Sequence, residues 1–202
     1  MEGLVQMLNK KSSTNFENLQ ELKKAMGIKP IVVIGMMASG KTTVAKELAK
    51  LSELKHIDLD EEIVKSQGAS ISEIFEQKGE EYFRELESKI LKQILEQNPS
   101  SIVLSVGGGT PSFFDNMEFI NDHGFSFYLN VTHENIVDRL LNNQSQDARP
   151  MIDIASPTKL INKIYKLYDE RFDSYLKAQF FINGNEEPAI VAEKIWIMAE
   201  RL

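Results

Sequence analysis

Residues 31–43 read Ile-Val-Val-Ile-Gly-Met-Met-Ala-Ser-Gly-Lys-Thr-Thr, and this stretch decides the fold. The four aliphatic residues at its start are typical of a short buried strand, and the Val-Ala-Lys-Glu-Leu-Ala-Lys run that follows it has helical spacing. Between them lies Gly-x-x-x-x-Gly-Lys-Thr, the pattern of a phosphate-binding loop. The sequence therefore predicts a strand, a phosphate-binding loop and a helix, in that order.

Each residue type in this loop suits a nucleotide phosphate. Gly35 and Gly40 allow the backbone to turn tightly, so that its N–H groups point at phosphate oxygens. The start of the following helix adds free N–H groups and the positive end of the helix dipole. Lys41 supplies a positive charge for the β- and γ-phosphates, and the Thr42 hydroxyl can bind Mg²⁺. An ordinary glycine turn is the alternative, and the flanking strand and helix argue against it.

Composition narrows the function classes. The chain has 202 residues, enough for one domain with a small appendage, and its net charge of −7 argues against a broad nucleic-acid surface. It has no cysteine, which excludes disulfides and thiolate metal sites. No apolar run approaches the roughly 18 residues of a membrane-spanning helix, and no secretory signal is evident. We therefore expect a cytoplasmic protein, a monomer, with no nucleic-acid or membrane partner.

Five short apolar segments alternate with segments of helical periodicity. We predict strands at residues 31–34, 56–60, 102–106, 125–131 and 180–182. We predict helices at residues 41–51, 70–77, 80–97, 112–122, 132–141, 157–178 and 190–202. This alternation predicts a three-layer α/β/α fold, in which helices cover both faces of a five-stranded parallel sheet. Residues 1–29 are expected to form a helical N-terminal extension to a domain at 30–202, with a polar loop at about 142–157.

Polar residues follow the second and third predicted strands. Because parallel sheets bind ligands at the carboxyl ends of their strands, Asp58, Asp60 and the triplet at 107–109 should share a crevice with the phosphate-binding loop. On a regular strand the two carboxylates would point to opposite faces, one toward Mg²⁺ and the nucleotide and the other toward a second ligand. Alternatively, Asp60 only caps the next helix, and the glycine triplet is only a flexible turn.

Arginine is scarce in this chain, which suggests that it is kept where its planar fork matters. Arg84 and Glu87 lie three residues apart on a predicted helix, so Glu87 could orient the guanidinium toward an anionic substrate. A surface ion pair is the alternative, and simple solvation is the alternative for Arg149 and Arg171. The three histidines show no ligand spacing and are expected to be structural or exposed: His56, His123 and His133.

Taken together, these motifs resemble the shikimate kinase family over about residues 30–185. The segments that carry the resemblance are residues 57–63 with Asp-x-Asp, 68–75, 79–87, 105–109 with the glycine triplet, 148–151 with Arg-Pro, and 171–178. The resemblance implies a P-loop kinase with a mobile lid at about 142–157. It further implies that ATP, with Mg²⁺, phosphorylates the 3-hydroxyl of shikimate in the pathway to aromatic amino acids.

For the nucleotide, the resemblance implies a set of phosphate-binding residues: Ala38, Ser39, Gly40, Lys41, Thr42 and Thr43. Thr42 would ligate Mg²⁺ directly, and Asp58 would assist through water. Arg149 would move in with the lid and neutralise charge on the transferred phosphoryl group, so that Arg149 counts among the catalytic residues with Lys41.

For shikimate, the resemblance implies that Asp60 binds the attacking hydroxyl and draws off its proton. Arg84 and Arg171 would hold the carboxylate, and Gly107, Gly108 and Gly109 would contact the ring hydroxyls.

One departure from the family concerns adenine. The family often has an arginine about seven residues before the lid arginine, and here that position is near Asn142. Two other functions stay open at this point. One is another small-metabolite kinase of the same architecture, such as a gluconate kinase. The other is a kinase-like binding module without turnover, which would be expected to have lost Lys41, Asp60 or the lid arginine.

Overall fold

Residues 27–142 and 157–202 are described by a computed structural model, in which five strands alternate with seven α-helices. The strands are β1 (Ile31–Ile34), β2 (Lys55–Asp58), β3 (Ile102–Ser105), β4 (Phe125–Asn130) and β5 (Phe180–Asn183). The helices are α1 (Lys41–Ser52), α2 (Leu59–Gln67), α3 (Ile71–Gln97), α4 (Asn116–His123), α5 (His133–Asn142), α6 (Pro157–Tyr175) and α7 (Pro188–Ala199).

The sheet is parallel throughout, with the strand order β2-β3-β1-β4-β5. The central strand, β1, is completely buried. Its residues Val32 and Ile34 pack in the cluster formed by α2 to α6, and Ile31 and Val33 pack in the cluster formed by α1 and α7. The predicted three-layer α/β/α fold is therefore confirmed. The continuous apolar run of β1 is explained by its burial on both faces.

The second strand is shorter than predicted, and this changes the geometry of its two carboxylates. β2 ends at Asp58, whose Oδ1 accepts hydrogen bonds from the backbone N–H groups of Asp60 (3.0 Å) and Glu61 (3.3 Å). Asp58 is thus the N-cap of α2, and Asp60 lies in the first helical turn. The expectation that the two side chains alternate along one strand is wrong, and the cap is Asp58 rather than Asp60.

The long helix α3 contains the predicted break. Ser70 and Glu73 form a capping box at its start, with Glu73 N–H bonded to Ser70 Oγ at 3.2 Å and Ser70 N–H to Glu73 Oε2 at 2.7 Å. Gly79 has φ 83° and ψ 172°, a conformation outside the helical region that glycine adopts without a steric penalty. The kink lies between the two helices predicted at 70–77 and 80–97.

The other differences are at the ends of elements. The helix predicted at 112–122 is a 3₁₀ turn at Thr110–Ser112 followed by α4, because Phe114 has a φ of 52° that interrupts the helix. The last helix begins at Pro188 instead of residue 190 and ends at Ala199. Within residues 27–142 and 157–202, no helix is long and apolar enough to cross a membrane. The predicted N-terminal helix and most of the polar loop, including Arg149, lie outside the described residues.

Candidate active site

A cleft of about 740 Å³ opens at the carboxyl ends of β1, β2 and β3. This is the edge at which parallel sheets bind ligands. The cleft gathers most of the side chains singled out by the sequence. Among its lining residues are Thr42, Asp58, Asp60, Arg84, Glu87, Gly107, Gly108, Gly109 and Arg171.

The phosphate-binding loop has the backbone geometry that its glycines predict. Gly40 has a φ of 89° and stands directly before α1, so no side chain caps that helix and its first N–H groups point into the loop. A Cβ at Gly35 would lie 3.1 Å from the carbonyl oxygen of Leu129, so the chain passes too close for a larger residue. The loop is therefore shaped to bind an anion through backbone donors.

Lys41 is the first residue of α1, and its side chain is buried. The ammonium group donates a hydrogen bond to the carbonyl oxygen of Met36 at 2.8 Å, across the loop. The cation therefore lies within the ring of backbone that would surround a phosphate. A buried positive charge beside free helix N–H groups is a strong attractor for a polyanion.

Asp58 is the centre of a hydrogen-bond network between the loop and the sheet. Its Oδ2 accepts from Thr42 Oγ1 (2.9 Å) and from Ser105 Oγ (2.7 Å), while its Oδ1 caps α2. The β2–β3 register places Asp58 opposite Ser105, which explains the second contact. Because the Thr42 hydroxyl gives its proton to Asp58, the threonine oxygen keeps its lone pairs for another ligand.

His56 also belongs to this network. It is half-buried, and its Nε2 lies 3.0 Å from Ser105 Oγ. Since Ser105 donates its proton to Asp58, Nε2 must be the donor to the serine oxygen. Burial lowers the pKa of His56, although the charge of Asp58 opposes that shift. Strand alternation could have found this residue, because His56 and Asp58 are two apart on β2.

Oxygen ligands for a divalent cation are thus present at one point of the cleft, the Thr42 hydroxyl and the Asp58 carboxylate. In the described part of the chain, no group of three or more histidine, cysteine, aspartate or glutamate side chains could hold a metal ion. Mg²⁺ typically uses one or two protein oxygens and completes its shell with substrate phosphates and water. The donor set therefore fits Mg²⁺ that arrives with a nucleotide.

Across the cleft, the buried side chain of Arg84 is surrounded by carboxylates and aromatic rings. Its Nη1 donates to Glu87 Oε2 at 2.9 Å, and its Nη2 donates to Glu80 Oε1 at 3.1 Å. The ring of Phe113 lies 4.2 Å from the guanidinium carbon, and that of Phe83 lies 5.1 Å from it. The surface-pair alternative is wrong, because Arg84 is only 6% exposed. A guanidinium fixed on these sides can bind an anion in a single orientation.

Glu87 has no exposed surface and is the most deeply buried charged group of the cleft. It bonds Arg84 through one oxygen, and its other oxygen accepts from Thr110 Oγ1 at 2.6 Å. Burial raises the pKa of Glu87, and the charge of Arg84 and the hydrogen bond from Thr110 counteract that rise. Such a pair is costly to bury, which suggests that it is retained for orientation rather than stability.

The glycine triplet is required by crowding and not by unusual backbone angles. A Cβ at Gly107 would lie 2.8 Å from Glu87 Oε1, one at Gly108 would lie 2.9 Å from the Met37 nitrogen, and one at Gly109 would lie 3.0 Å from the Arg84 guanidinium. Gly109 has a φ of −91°, which any residue can adopt. The flexible-turn alternative is therefore wrong. The triplet lets the end of β3 touch the phosphate-binding loop and the arginine at once.

Arg171 and Asp60 complete the cleft. Arg171 projects from α6, is 6% exposed and lines the same space as Arg84, so it is not a solvated surface charge. Asp60 projects from the first turn of α2, and its Oδ1 would be 3.4 Å from a Cβ at Gly107. The side chains of Arg84, Arg171 and Asp60 thus line a space beside the phosphate-binding loop.

Arg139 is a residue of the site that the sequence analysis missed. Its Nη1 donates to the carbonyl oxygens of Ser39 (2.9 Å) and Ala38 (3.3 Å) in the phosphate-binding loop. Its Nη2 donates to the carbonyl oxygen of Gly184, after β5, at 3.1 Å. Arg139 lies three positions before Asn142 on the same helix, α5. The periodicity of a helix would have placed Arg139 about one turn before Asn142, on the same side of the helix.

Comparisons with known proteins show the family to which the sequence is similar. A family model described as shikimate kinase matches residues 37–200. A relative named shikimate kinase, from Sulfurihydrogenibium sp., is 37% identical over 175 residues, which cover 86% of this chain and 99% of the relative.

Solved structures give the same result. The structure of shikimate kinase from Acinetobacter baumannii in complex with shikimate has a TM-score of 0.78 and 31% identity, covering 89% of this chain and 99% of that one. A gluconokinase from Sinorhizobium meliloti has a TM-score of 0.52 at 14% identity, covering 86% and 93% of the two chains. This second likeness shows a common fold only.

Proposed function

The chain belongs to the shikimate kinase family, and we propose that it transfers the γ-phosphoryl group of ATP to the 3-hydroxyl of shikimate. The observation that carries this proposal is the buried Arg84 opposite the phosphate-binding loop. Its guanidinium is held by Glu80 and Glu87 and covered by Phe113, so that it presents one edge to a small anionic acceptor. A compact cyclic carboxylate such as shikimate suits that arrangement.

The donor side of the proposed reaction is the phosphate-binding loop. The N–H groups of residues 38–43 and the ammonium group of Lys41 bind the ATP phosphates, with the positive end of the α1 dipole behind them. The loop residues offered for this role are Ala38, Ser39, Gly40, Lys41, Thr42 and Thr43. We further propose that Arg149, from outside the described residues, approaches the transferred group from the lid.

Mg²⁺ is the cofactor that the Thr42 and Asp58 oxygens fit, and when bound it would neutralise charge on the phosphates. The protein's own contribution is to fix those oxygens. Asp58 is held by the α2 backbone, by Thr42 and by Ser105, so its carboxylate does not need to reorganise when a nucleotide binds.

The acceptor side is what we call the acceptor wall: Asp60, Arg84, Gly107, Gly108, Gly109 and Arg171. In the proposed mechanism the two arginines bind the carboxylate of shikimate, and the glycine backbone contacts the ring hydroxyls. Asp60 accepts a hydrogen bond from the 3-hydroxyl and takes its proton, as that oxygen bonds to the γ-phosphorus and the bond to the β–γ bridging oxygen breaks.

We propose that one chain is sufficient for this chemistry, because Thr42 and Asp58 line the same cleft as the acceptor wall. The prediction that the protein is a cytoplasmic monomer stays a prediction. A gluconate kinase has no specific observation in its favour, since the gluconokinase structure is only 14% identical to this chain, whereas the Sulfurihydrogenibium relative is 37% identical. The non-catalytic alternative would be expected to have lost Lys41, Asp60 or the lid arginine, and the chain keeps all three.

The proposed function is tested by a coupled assay of ADP release with shikimate, with gluconate and with no acceptor. We expect rapid turnover with shikimate and slow, equal rates in the other two reactions. Turnover with gluconate and not with shikimate would overturn the assignment. ADP release that no acceptor accelerates would support a binding module instead.

A further inference from the structure

Tyr175 is the last residue of α6, one helical turn after Arg171. Its hydroxyl group contacts the acceptor wall. The side chain is fully buried, and its hydroxyl donates to the carbonyl oxygen of Gly108 at 2.5 Å. The charge of Arg171, one turn earlier on the same helix, opposes the rise that burial causes in the pKa of this hydroxyl, so the guanidinium lies near it. Because the hydroxyl gives its proton to Gly108, the tyrosine oxygen keeps its lone pairs for the guanidinium, which can only donate. Tyr175 therefore links the cation on α6 to the glycine triplet after β3.

The hydroxyl also lies beside the phosphate-binding loop. Met36 Sδ is 3.6 Å from it, and Gly108 packs so closely on the loop that a Cβ there would lie 2.9 Å from the Met37 nitrogen. One buried hydroxyl thus stands where α6, the triplet and the loop meet. Burial raises the pKa of Tyr175 to about 12, which keeps the proton on the oxygen near neutral pH.

We infer that Tyr175 is a positioning residue for the acceptor. Its hydroxyl sets the Arg171 guanidinium and the Gly108 carbonyl at a fixed separation, so that a carboxylate and a ring hydroxyl of one small molecule can be bound together. This inference rests on the proposed function. It does not require the tyrosine to touch the substrate, because it acts through the two groups that do.

The chain provides a matched control. Tyr128 is also buried, and its ring stacks on that of Tyr175 with centroids 5.0 Å apart and an angle of 14°. Burial raises the pKa of Tyr128, and the nearby Tyr168 adds to that rise. Among the described residues, no hydrogen bond joins the Tyr128 hydroxyl to the triplet. Tyr128→Phe and Tyr175→Phe therefore remove the same atom from the same stack, and only the second removes a contact with the acceptor wall.

The test is steady-state kinetics of both variants and of the wild type, with thermal unfolding of each. We expect Tyr175→Phe to raise KM for shikimate about ten-fold, with KM for ATP changed less than about two-fold. Tyr128→Phe should lower thermal stability and leave both KM values near those of the wild type. Incorporation of p-aminophenylalanine at position 175, which restores a donor, should recover most of the lost affinity.

Three results would overturn the inference: an unchanged KM for shikimate in Tyr175→Phe, an equal rise in Tyr128→Phe, or no recovery with p-aminophenylalanine. If Tyr175→Phe does not fold, 4-fluorophenylalanine at the same position keeps the volume without a donor and must give the same rise. A wild type inactive on shikimate would overturn the proposed function. An active wild type with an unaffected variant would overturn the inference alone.

Discussion

The phosphate-binding loop and the acceptor wall face each other across one cleft, yet they are built in opposite ways. The loop is one continuous segment that offers backbone N–H groups and one buried ammonium, that of Lys41. The acceptor wall comes from α2, α3, the end of β3 and α6, and its charges are side chains. The loop binds through local backbone geometry, whereas the wall depends on packing between distant segments.

The difference is also energetic. A backbone cradle costs little to maintain, because the glycines need only adopt angles open to them. The wall keeps Arg84 almost entirely out of water and pairs it with Glu87, which is completely buried and has Arg84 as its cationic partner. Such pairs contribute little to stability and are severely destabilising when one member is removed. We therefore expect loop variants to lose activity with the fold intact, and wall variants to lose both substrate affinity and stability.

The largest effect is expected at the loop. Lys41→Met removes the cation inside the phosphate cradle and should lower kcat/KM by about 10³-fold, because a preorganised charge is lost where negative charge develops. Thermal stability should change little. Lys46→Met is the control, since Lys46 lines the same cleft from the same helix and is largely exposed. Similar losses in the two variants would contradict a specific role for Lys41.

The second largest effect on activity is expected at Asp60, on the acceptor wall. Asp60→Asn should lower kcat about 10²-fold, because an amide cannot take the proton of the attacking hydroxyl. ATP hydrolysis without shikimate should be unchanged. Glu61→Gln is the control, since it removes a neighbouring carboxylate that also lines the cleft. Near-normal turnover by Asp60→Asn would reject Asp60 as the base.

Arg84→Ala tests the expected difference in stability between loop variants and wall variants. It should raise KM for shikimate by about 10- to 100-fold, the equivalent of a lost charge-assisted hydrogen bond of about 1.5–3 kcal/mol. It should also reduce the free energy of unfolding, because Glu87 is left buried without its cation.

The double variant Arg84→Ala/Glu87→Gln separates these two consequences. It should recover stability, measured by urea unfolding, while KM for shikimate stays high. If KM is normal in both variants, Arg84 does not bind the carboxylate.

The fold was predictable because its signals are local. β1 and the loop after it are contiguous in the sequence. The alternation of strands with helices predicted the parallel sheet and the edge at which it binds ligands. The end of β2 was not predicted correctly, because Asp58 can continue a strand or cap a helix, and its hydrogen bonds to Asp60 and Glu61 decide between them.

The site was predictable mainly where the family resemblance named residues. Sequence spacing suggested that Glu87 orients Arg84, but it could not show the aromatic cover from Phe113, which lies 29 positions after Arg84 in the chain. Arg139 and Tyr175 act through carbonyl oxygens of distant segments. Backbone acceptors leave no side-chain pattern in the sequence, so only the folded structure reveals such contacts.

The smallest effect is expected at Thr110, which lies outside the acceptor wall and bonds to Glu87. Thr110→Val removes the hydrogen bond to Glu87 and should cost about 1–3 kcal/mol of unfolding free energy at neutral pH. Burial raises the pKa of Glu87, so the folded state favours the protonated carboxyl more than the unfolded state does. The stability that the protonated form contributes at low pH is lost as the pH rises through the raised pKa. The threonine supports the charged form, so the cost should shrink on acidification.

Urea unfolding at pH 8 and pH 5 measures this dependence. Ser88→Ala is the control, because Ser88 donates to Asn116 and not to Glu87. The same cost for Thr110→Val at both pH values would mean that the threonine does not act on the glutamate charge.

The central claim is that the acceptor wall binds a carboxylate opposite the ATP phosphates, and shikimate methyl ester tests it without altering the protein. Kinetics of the wild type with shikimate and with its methyl ester should show kcat/KM at least about 100-fold lower for the ester, because two charge-assisted contacts are lost. Most of that loss should be in KM. Equal efficiency with acid and ester would contradict the account, because Arg84 and Arg171 would then have no carboxylate to bind.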